Sequence, residues 1–155
     1  MSDTTEYTGK ISEMVLEKGY KPSKDETYMS PKQRAFFYQL LQKWQQQLLG
    51  DAEKTVSVMT EEKALFADPS DRATLETDRN FELRTRDRER KLIVKINRTM
   101  LVVEANEYGY CEECGVEIGL GRLEARPVTD QCISCKTKEE RSEKTSSGSI
   151  DDTIE

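Results

Sequence analysis

Four cysteines offer the plainest chemistry in the chain. Cys111, Cys114, Cys132 and Cys135 form C-x2-C-x17-C-x2-C, a spacing suited to a four-thiolate metal site. Two residues between thiolates let one tight turn set both sulfurs about 2.3 Å from the same ion, and two such turns close a tetrahedron. All four positions are then filled by protein, which points to one structural zinc per chain and not to a catalytic one. A pair of redox CxxC motifs and an iron–sulfur cluster use the same residues and stay open on spacing alone. Gly115 follows the first pair and can relieve the backbone where it curls round the metal. The module has few apolar residues, chiefly Ile118, Leu120, Leu123, Val128 and Ile133. Metal binding must supply much of its folding energy.

Two charged constellations stand apart from the cysteines. In "FADPSDRA" a proline is flanked by Asp68 and Asp71. Helix capping alone selects such a turn: Asp68 suits the cap, Pro69 the first helical position, and Asp71 the positive end of the helix dipole. Two carboxylates three residues apart can equally meet a metal ion or a basic loop if they sit on the end of something long and thin. The second constellation is "RTRDRERKLIVKINR", residues 84–98, with seven Lys or Arg against two acids. It suits a solvated helix face with i,i+4 ion pairs, or a stripe that binds phosphate or an acidic surface. Lys136 joins such a stripe if the cysteine module folds back towards it.

The elements that must position these groups are helices. "SPKQ" at 30–33 starts the first: Ser30 caps, Pro31 takes the first position and Gln33 completes a capping box. From Phe37 a seam in steps of four and three runs through Leu41, Trp44, Leu48, Asp51, Thr55, Val58, Glu62 and Leu65, and it weakens outward. After "DPSD" the helical pattern resumes to about Asn106, with Leu75, Phe81, Leu92, Ile96, Met100 and Val103 apolar. This second seam strengthens towards its end. The two match if they fold back antiparallel, pairing Phe37 with Val103, Trp44 with Ile96 and Val58 with Phe81. Each helix of roughly 36 residues is then about 54 Å long. Gly50 falls inside the first and costs about 1 kcal/mol there.

The expected fold class is therefore mostly α: a long antiparallel coiled-coil hairpin on a small globular base with a four-cysteine zinc finger and a C-terminal helix. Residues 1–29 form an N-terminal arm whose helical signal puts Ile11, Met14 and Val15 on one face. Residues 30–107 form the hairpin, with its tip at 67–73. Residues 108–144 hold the zinc finger and a C-terminal helix, and 145–155, rich in Ser, Thr, Gly and acids, form a disordered tail.

Composition narrows the function. Of 155 residues, 35% are hydrophobic and 35% charged, short of material for one compact core, so an elongated shape is expected. A formal charge of −6 argues against a general nucleic-acid binder. The absence of histidine excludes Ser-His-Asp and Cys-His catalysis. A tip two helices wide offers no pocket that excludes water, which argues against an enzyme. No stretch suits a secretory signal or a membrane span, so the chain is expected in the cytoplasm.

Taken in order, "FADPSDRA", "FELRTRDRERKLI", "GYCEECGVEI", "RLEARP" and "CISCK" closely resemble the bacterial DksA/TraR zinc-finger family over roughly residues 28–141. The resemblance implies a non-enzymatic transcription regulator that enters the secondary channel of RNA polymerase with its coiled-coil tip. There, with the alarmone ppGpp, it destabilises open promoter complexes. Ribosomal RNA promoters are repressed, some amino-acid biosynthesis promoters are activated, and no DNA sequence is read. By motif, Asp68, Asp71 and Ala73 match the tip residues near the polymerase active site. Arg84, Arg88, Leu92, Lys95 and Lys136 fall on positions that contact polymerase or the shared ppGpp site, and the four cysteines match the zinc ligands. A monomer is implied.

Overall fold

The computed structural model describes residues 9–61 and 69–147, with side chains described at 9–52 and 73–145. A 3-10 turn, Ile11–Glu13, precedes four helices: α1 (Pro31–Glu61), α2 (Pro69–Glu104), α3 (Leu120–Ala125) and α4 (Ile133–Ser147). Among the described residues the only β pairing is an isolated antiparallel bridge between Tyr110 and Glu117. The mostly helical class expected from the sequence is the observed one.

α1 starts where its signals put it, since the Gln33 N–H donates to Ser30 Oγ at 3.3 Å. The other half of the capping box closes one residue earlier than expected. Met29 sits at φ 49, and its N–H, not that of Ser30, donates to Gln33 Oε1 at 2.9 Å. Gln33 Nε2 in turn donates to the Ser23 carbonyl at 2.9 Å. The fully buried Gln33 thus ties the arm to the first turn of α1, with its polar atoms satisfied as burial demands. α1 continues through Gly50 without interruption.

α2 begins at Pro69, and Asp68, expected as its cap, lies outside the described residues. At its far end Asn106 adopts φ 64, and Glu107 N–H reaches the Val102 carbonyl at 3.1 Å while Asn106 N–H reaches that of Val103 at 3.3 Å. This left-handed stop, with 6→1 and 5→2 bonds, explains why helical periodicity fades near Asn106.

The two long helices run antiparallel. Gln45 Nε2 donates to Asn97 Oδ1 near the base, and further out Arg86 Nη1 donates to the Ala52 carbonyl at 3.3 Å. Phe37, Leu41, Ile96 and Val103 are fully buried between them, and Trp44, Leu48, Leu92 and Met100 pack half-buried on the same core. One seam position differs from expectation: Phe81 is 73% exposed. The inward stripe of α2 repeats every seven residues from Val103 and Ile96 through the half-buried Glu89, Glu82 and Leu75. Phe81 is one residue, about 100° of helix, off that stripe. The expected partner Val58, and the seam positions Thr55, Glu62 and Leu65, lie outside the described side chains.

The arm packs on the base. Its 3-10 turn touches both α1 and α2, with Ile11 buried and Gln39 Nε2 donating to the Met14 carbonyl at 3.0 Å. Val15, expected on the same face, is 93% exposed because the turn ends at Glu13 and the chain extends from there. Aromatic rings continue the core from arm to cysteine module, through Tyr20–Phe36, Phe36–Phe37 and Phe37–Tyr108 pairs at 6.1, 5.4 and 5.5 Å between centroids. α4 extends to Ser147, so the expected disordered tail does not begin at 145; residues 148–155 lie outside the described chain.

Candidate functional site

Each cysteine pair sits on a turn built by its own backbone. In the first, Cys111 N–H donates to the Val116 carbonyl at 2.9 Å and Gly115 N–H to that of Cys111 at 2.8 Å, with Gly115 at φ 71, a conformation costly for other residues. In the second, Cys135 N–H points at Cys132 Sγ at 3.4 Å as α4 begins. Glu112 N–H reaches the Asp130 carbonyl at 2.9 Å and locks one turn to the other.

The four sulfurs lie within 4.8 Å of one another, and Cys114 and Cys132 Sγ are 3.7 Å apart. A tetrahedral zinc with bonds of about 2.3 Å requires an edge of about 3.8 Å. The crowding divides the thiols. Cys111 is lowered to about 6, chiefly by the backbone N–H of Cys132, whereas the neighbouring sulfurs of Cys114 and Cys132 push Cys135 up to about 12. Four thiolates this close repel one another unless a cation sits among them, so the donor set and its geometry fit one divalent metal with no open position. Zinc bound here closes two loops and contributes folding energy. Ile118, Leu120, Leu123 and Val128 are buried with Phe37 and Val103 in a single core. Ile133, counted with them from sequence, is 65% exposed.

The arm clamps this module at Gly109. Tyr28 Oη lies 2.6 Å from the Gly109 carbonyl and 2.5 Å from that of Ile118, and its one proton serves them in turn. Burial is the main cause that pushes its phenol up to about 12. Gly109, at φ 98, leaves no room for a side chain: an added Cβ lies 2.7 Å from Met29 Cγ and 2.9 Å from Tyr28 Oη.

The charged residues singled out from sequence are spread along α2 and do not form one cluster. Asp68 and the Asp71 side chain lie outside the described residues; Ala73 is exposed in the early turns of α2. Arg84, Arg88 and Lys95 are exposed and fall within about 40° of one helix face, with the half-buried Leu92 beside them. Ala73 and Lys95 are roughly 33 Å apart by helix rise. Part of the basic run is neutralised locally, Lys91 by Asp87 at 2.7 Å and Arg86 by Glu89 at 3.6 Å.

The fold does bring Lys95 and Lys136 together. Both line a cavity of about 230 Å³ with Arg122, Arg126, Asp130 and Glu139. Lys95 Nζ lies 3.2 Å from Asp130 Oδ2, and Lys136 Nζ lies 2.6 Å from Glu139 Oε2. Sequence reasoning passed over Arg122 and Arg126. Their signal was present in "GRLEAR", four apart and so on one face of a helix. A second, larger cavity of about 400 Å³ lies between α2 and the loops at 107–112 and 128–130, and Lys95 and Asp130 line both.

An antiparallel helical hairpin whose base is completed by a four-cysteine zinc finger defines the class of protein. Residues 33–103 match the family described as DnaK suppressor protein DksA, N-terminal domain, and residues 106–141 match the prokaryotic dksA/traR C4-type zinc finger. The chain is 50% identical over 129 residues to the RNA polymerase-binding transcription factor DksA of Escherichia coli (strain K12), covering 83% of this chain and 85% of that one. It is 47% identical over 131 residues to the protein of the same description from Haemophilus influenzae, covering 84% and 90%. Among solved structures, transcription factor DksA2 from Pseudomonas aeruginosa matches with a TM-score of 0.68 and 34% identity over 76% of this chain and 90% of that one. The chain belongs to the DksA/TraR zinc-finger family, whose relatives named above are transcription factors and not enzymes. Its four cysteines form that family's C4 zinc site. Among the described residues no helix is long and apolar enough to cross a membrane.

Proposed function

We propose that the chain regulates transcription initiation by binding RNA polymerase, with the hairpin inserted through the secondary channel and ppGpp held at the shared interface. The observation that carries this reading is the 50% identity over 129 residues to an RNA polymerase-binding transcription factor, beside family matches to both the hairpin and the zinc finger. Asp68, Asp71 and Ala73 then act near the polymerase active site and destabilise open complexes, which represses ribosomal RNA promoters and activates some amino-acid biosynthesis promoters. Arg84, Arg88 and Leu92 contact polymerase along the rod. Lys95 and Lys136 hold phosphate at the base, and Arg122 and Arg126, which line the same cavity, supply two further donors suited to phosphate oxygens. The regulator works as a monomer in the cytoplasm and reads no DNA sequence.

Initiation from a ribosomal promoter with purified polymerase, with and without ppGpp, tests this reading. Added protein should shorten open-complex lifetime, more so with ppGpp. Asp71→Asn should keep polymerase binding and lose that effect, and a variant that represses like the parent removes the role given to the tip.

A further inference from the structure

The basic pocket at the foot of α2 is already occupied by two of the chain's own carboxylates. Four cations line it, and two of them are spoken for: Lys95 by Asp130 at 3.2 Å and Lys136 by Glu139 at 2.6 Å. The two pairs are built on different elements. Lys95 reaches from α2 to the loop before the second cysteine pair, whereas Lys136 and Glu139 are i,i+3 neighbours on α4. Both carboxylates nevertheless fall inside the same 230 Å³. The arginines differ. Arg122 is held by its Nε on the Gln131 carbonyl at 3.0 Å, which fixes the guanidinium without using a carboxylate, and Arg126 forms none of the ion pairs found among the described residues.

Resting on the reading that this pocket takes the phosphates of ppGpp, we infer that Asp130 and Glu139 are internal stand-ins for that anion and set the concentration at which it binds. The lysine side chains are partly exposed, at 47% for Lys95 and 35% for Lys136. Left unpaired they would be free to sample solvent; the carboxylates hold both in the pocket. An entering phosphate must displace Asp130 from Lys95 and Glu139 from Lys136, so each charge-assisted bond it gains from a lysine is offset in part by the one it breaks. Exposed ion pairs of this kind are weak, which makes the displacement feasible and its cost modest. Displacing Asp130 also releases a link between α2 and the zinc finger, because that pair spans the two. Phosphate binding at the pocket is thereby coupled to how firmly the zinc finger is held against the rod.

Asp130→Asn, Glu139→Gln and the double variant test this in the full chain bound to polymerase. The readout is the ppGpp concentration that gives half the effect on open-complex lifetime, with polymerase lacking the protein as baseline. Zinc content and thermal midpoint confirm that each variant is folded. Each single substitution should lower the half-effective concentration about two- to fivefold, as loss of one exposed pair predicts, and the two should multiply. An unchanged or raised concentration in both single variants overturns the proposal. Lys95→Ala and Lys136→Ala run beside them. If these lose the ppGpp response while the carboxylate variants keep the parental midpoint, the stand-in proposal alone fails. If neither lysine variant changes the response, the underlying reading of the pocket fails and takes the proposal with it.

Discussion

The foot of the hairpin and its distal half are built from the same two helices by different means. At the foot, Phe37, Leu41, Ile96 and Val103 are fully buried together with Ile118 and Leu123 of the zinc finger. Farther out, α2 buries no described residue from Ala73 to Lys95, and its inward stripe passes through Glu82, Arg86 and Glu89. The outer helices are joined by contacts such as Arg86 to the Ala52 carbonyl, each of which contributes on the order of 1–3 kcal/mol. Stability is thus concentrated where the arm, the rod and the metal site meet. The described outer part of α2 is released from packing and can present charged groups at no cost to the core.

The strongest test of that division removes the metal. Chelation of zinc, or Cys135→Ser, should unfold the cysteine module, since metal binding in small zinc modules is worth on the order of 10 kcal/mol. The near-UV signal of Tyr108 and Tyr110 should collapse, and helical circular dichroism should fall further than the short α3 and α4 alone explain, because the foot of the rod loses its partner. A module that keeps its near-UV signal with all zinc removed would show that its apolar core suffices. Next in size, Leu41→Ala at the foot should cost about 2–5 kcal/mol in denaturant unfolding. Leu49→Ala, two turns outward on a residue 46% exposed, should stay within about 0.5 kcal/mol. Equal costs would erase the contrast between foot and rod.

Much of this was legible in the sequence because it rests on local rules. Cysteine spacing predicts the metal site; the cap at Ser30 and the proline at 69 predict helix starts; apolar steps of three and four predict which residues fill the foot. The failures fall where local rules no longer decide. Val15 shares a helical face with Ile11 only if the arm is a full helix, and it is a single 3-10 turn. Gln33 closes on Met29 and Ser23 because the arm folds back on it, a long-range event that a capping motif does not encode. Ile133 starts α4 on the solvent side because Cys132 and Cys135 must face the metal. Arg122 and Arg126 become interesting only when the fold sets them beside Lys95 and Lys136.

The arm's tie to the foot should show a pH dependence of its own. The Tyr28 phenol is raised from 10.0 to about 12, first by burial and then by the charge of Glu117. The folded state therefore holds this proton more tightly than the unfolded chain. Its contribution is complete below pH 10 and fades as pH climbs through about 12. Limited proteolysis of the arm should accelerate across that window, and Tyr28→Phe should remove this component while lowering stability near neutrality by about 1 kcal/mol. A variant with the parental alkaline profile would place the tie elsewhere.

The smallest expected effect decides the register of the outer rod. The antiparallel pairing expected from the sequence puts Phe81 against Val58, and there a phenylalanine truncated to alanine in a packed seam costs about 3–5 kcal/mol. In the observed register the seven-residue repeat from Val103 passes through Glu82, and Phe81 is 73% exposed. Phe81→Ala should then change the unfolding free energy by no more than about 0.5 kcal/mol. Glu82→Leu should instead stabilise the rod, because it places an apolar side chain on the stripe that faces α1. If Phe81→Ala proves costly and Glu82→Leu does not stabilise, the outer rod is rotated by one residue relative to the foot. Its distal half would then share the apolar construction of the base, and the division between a stabilising foot and a polar, unburdened rod would fail.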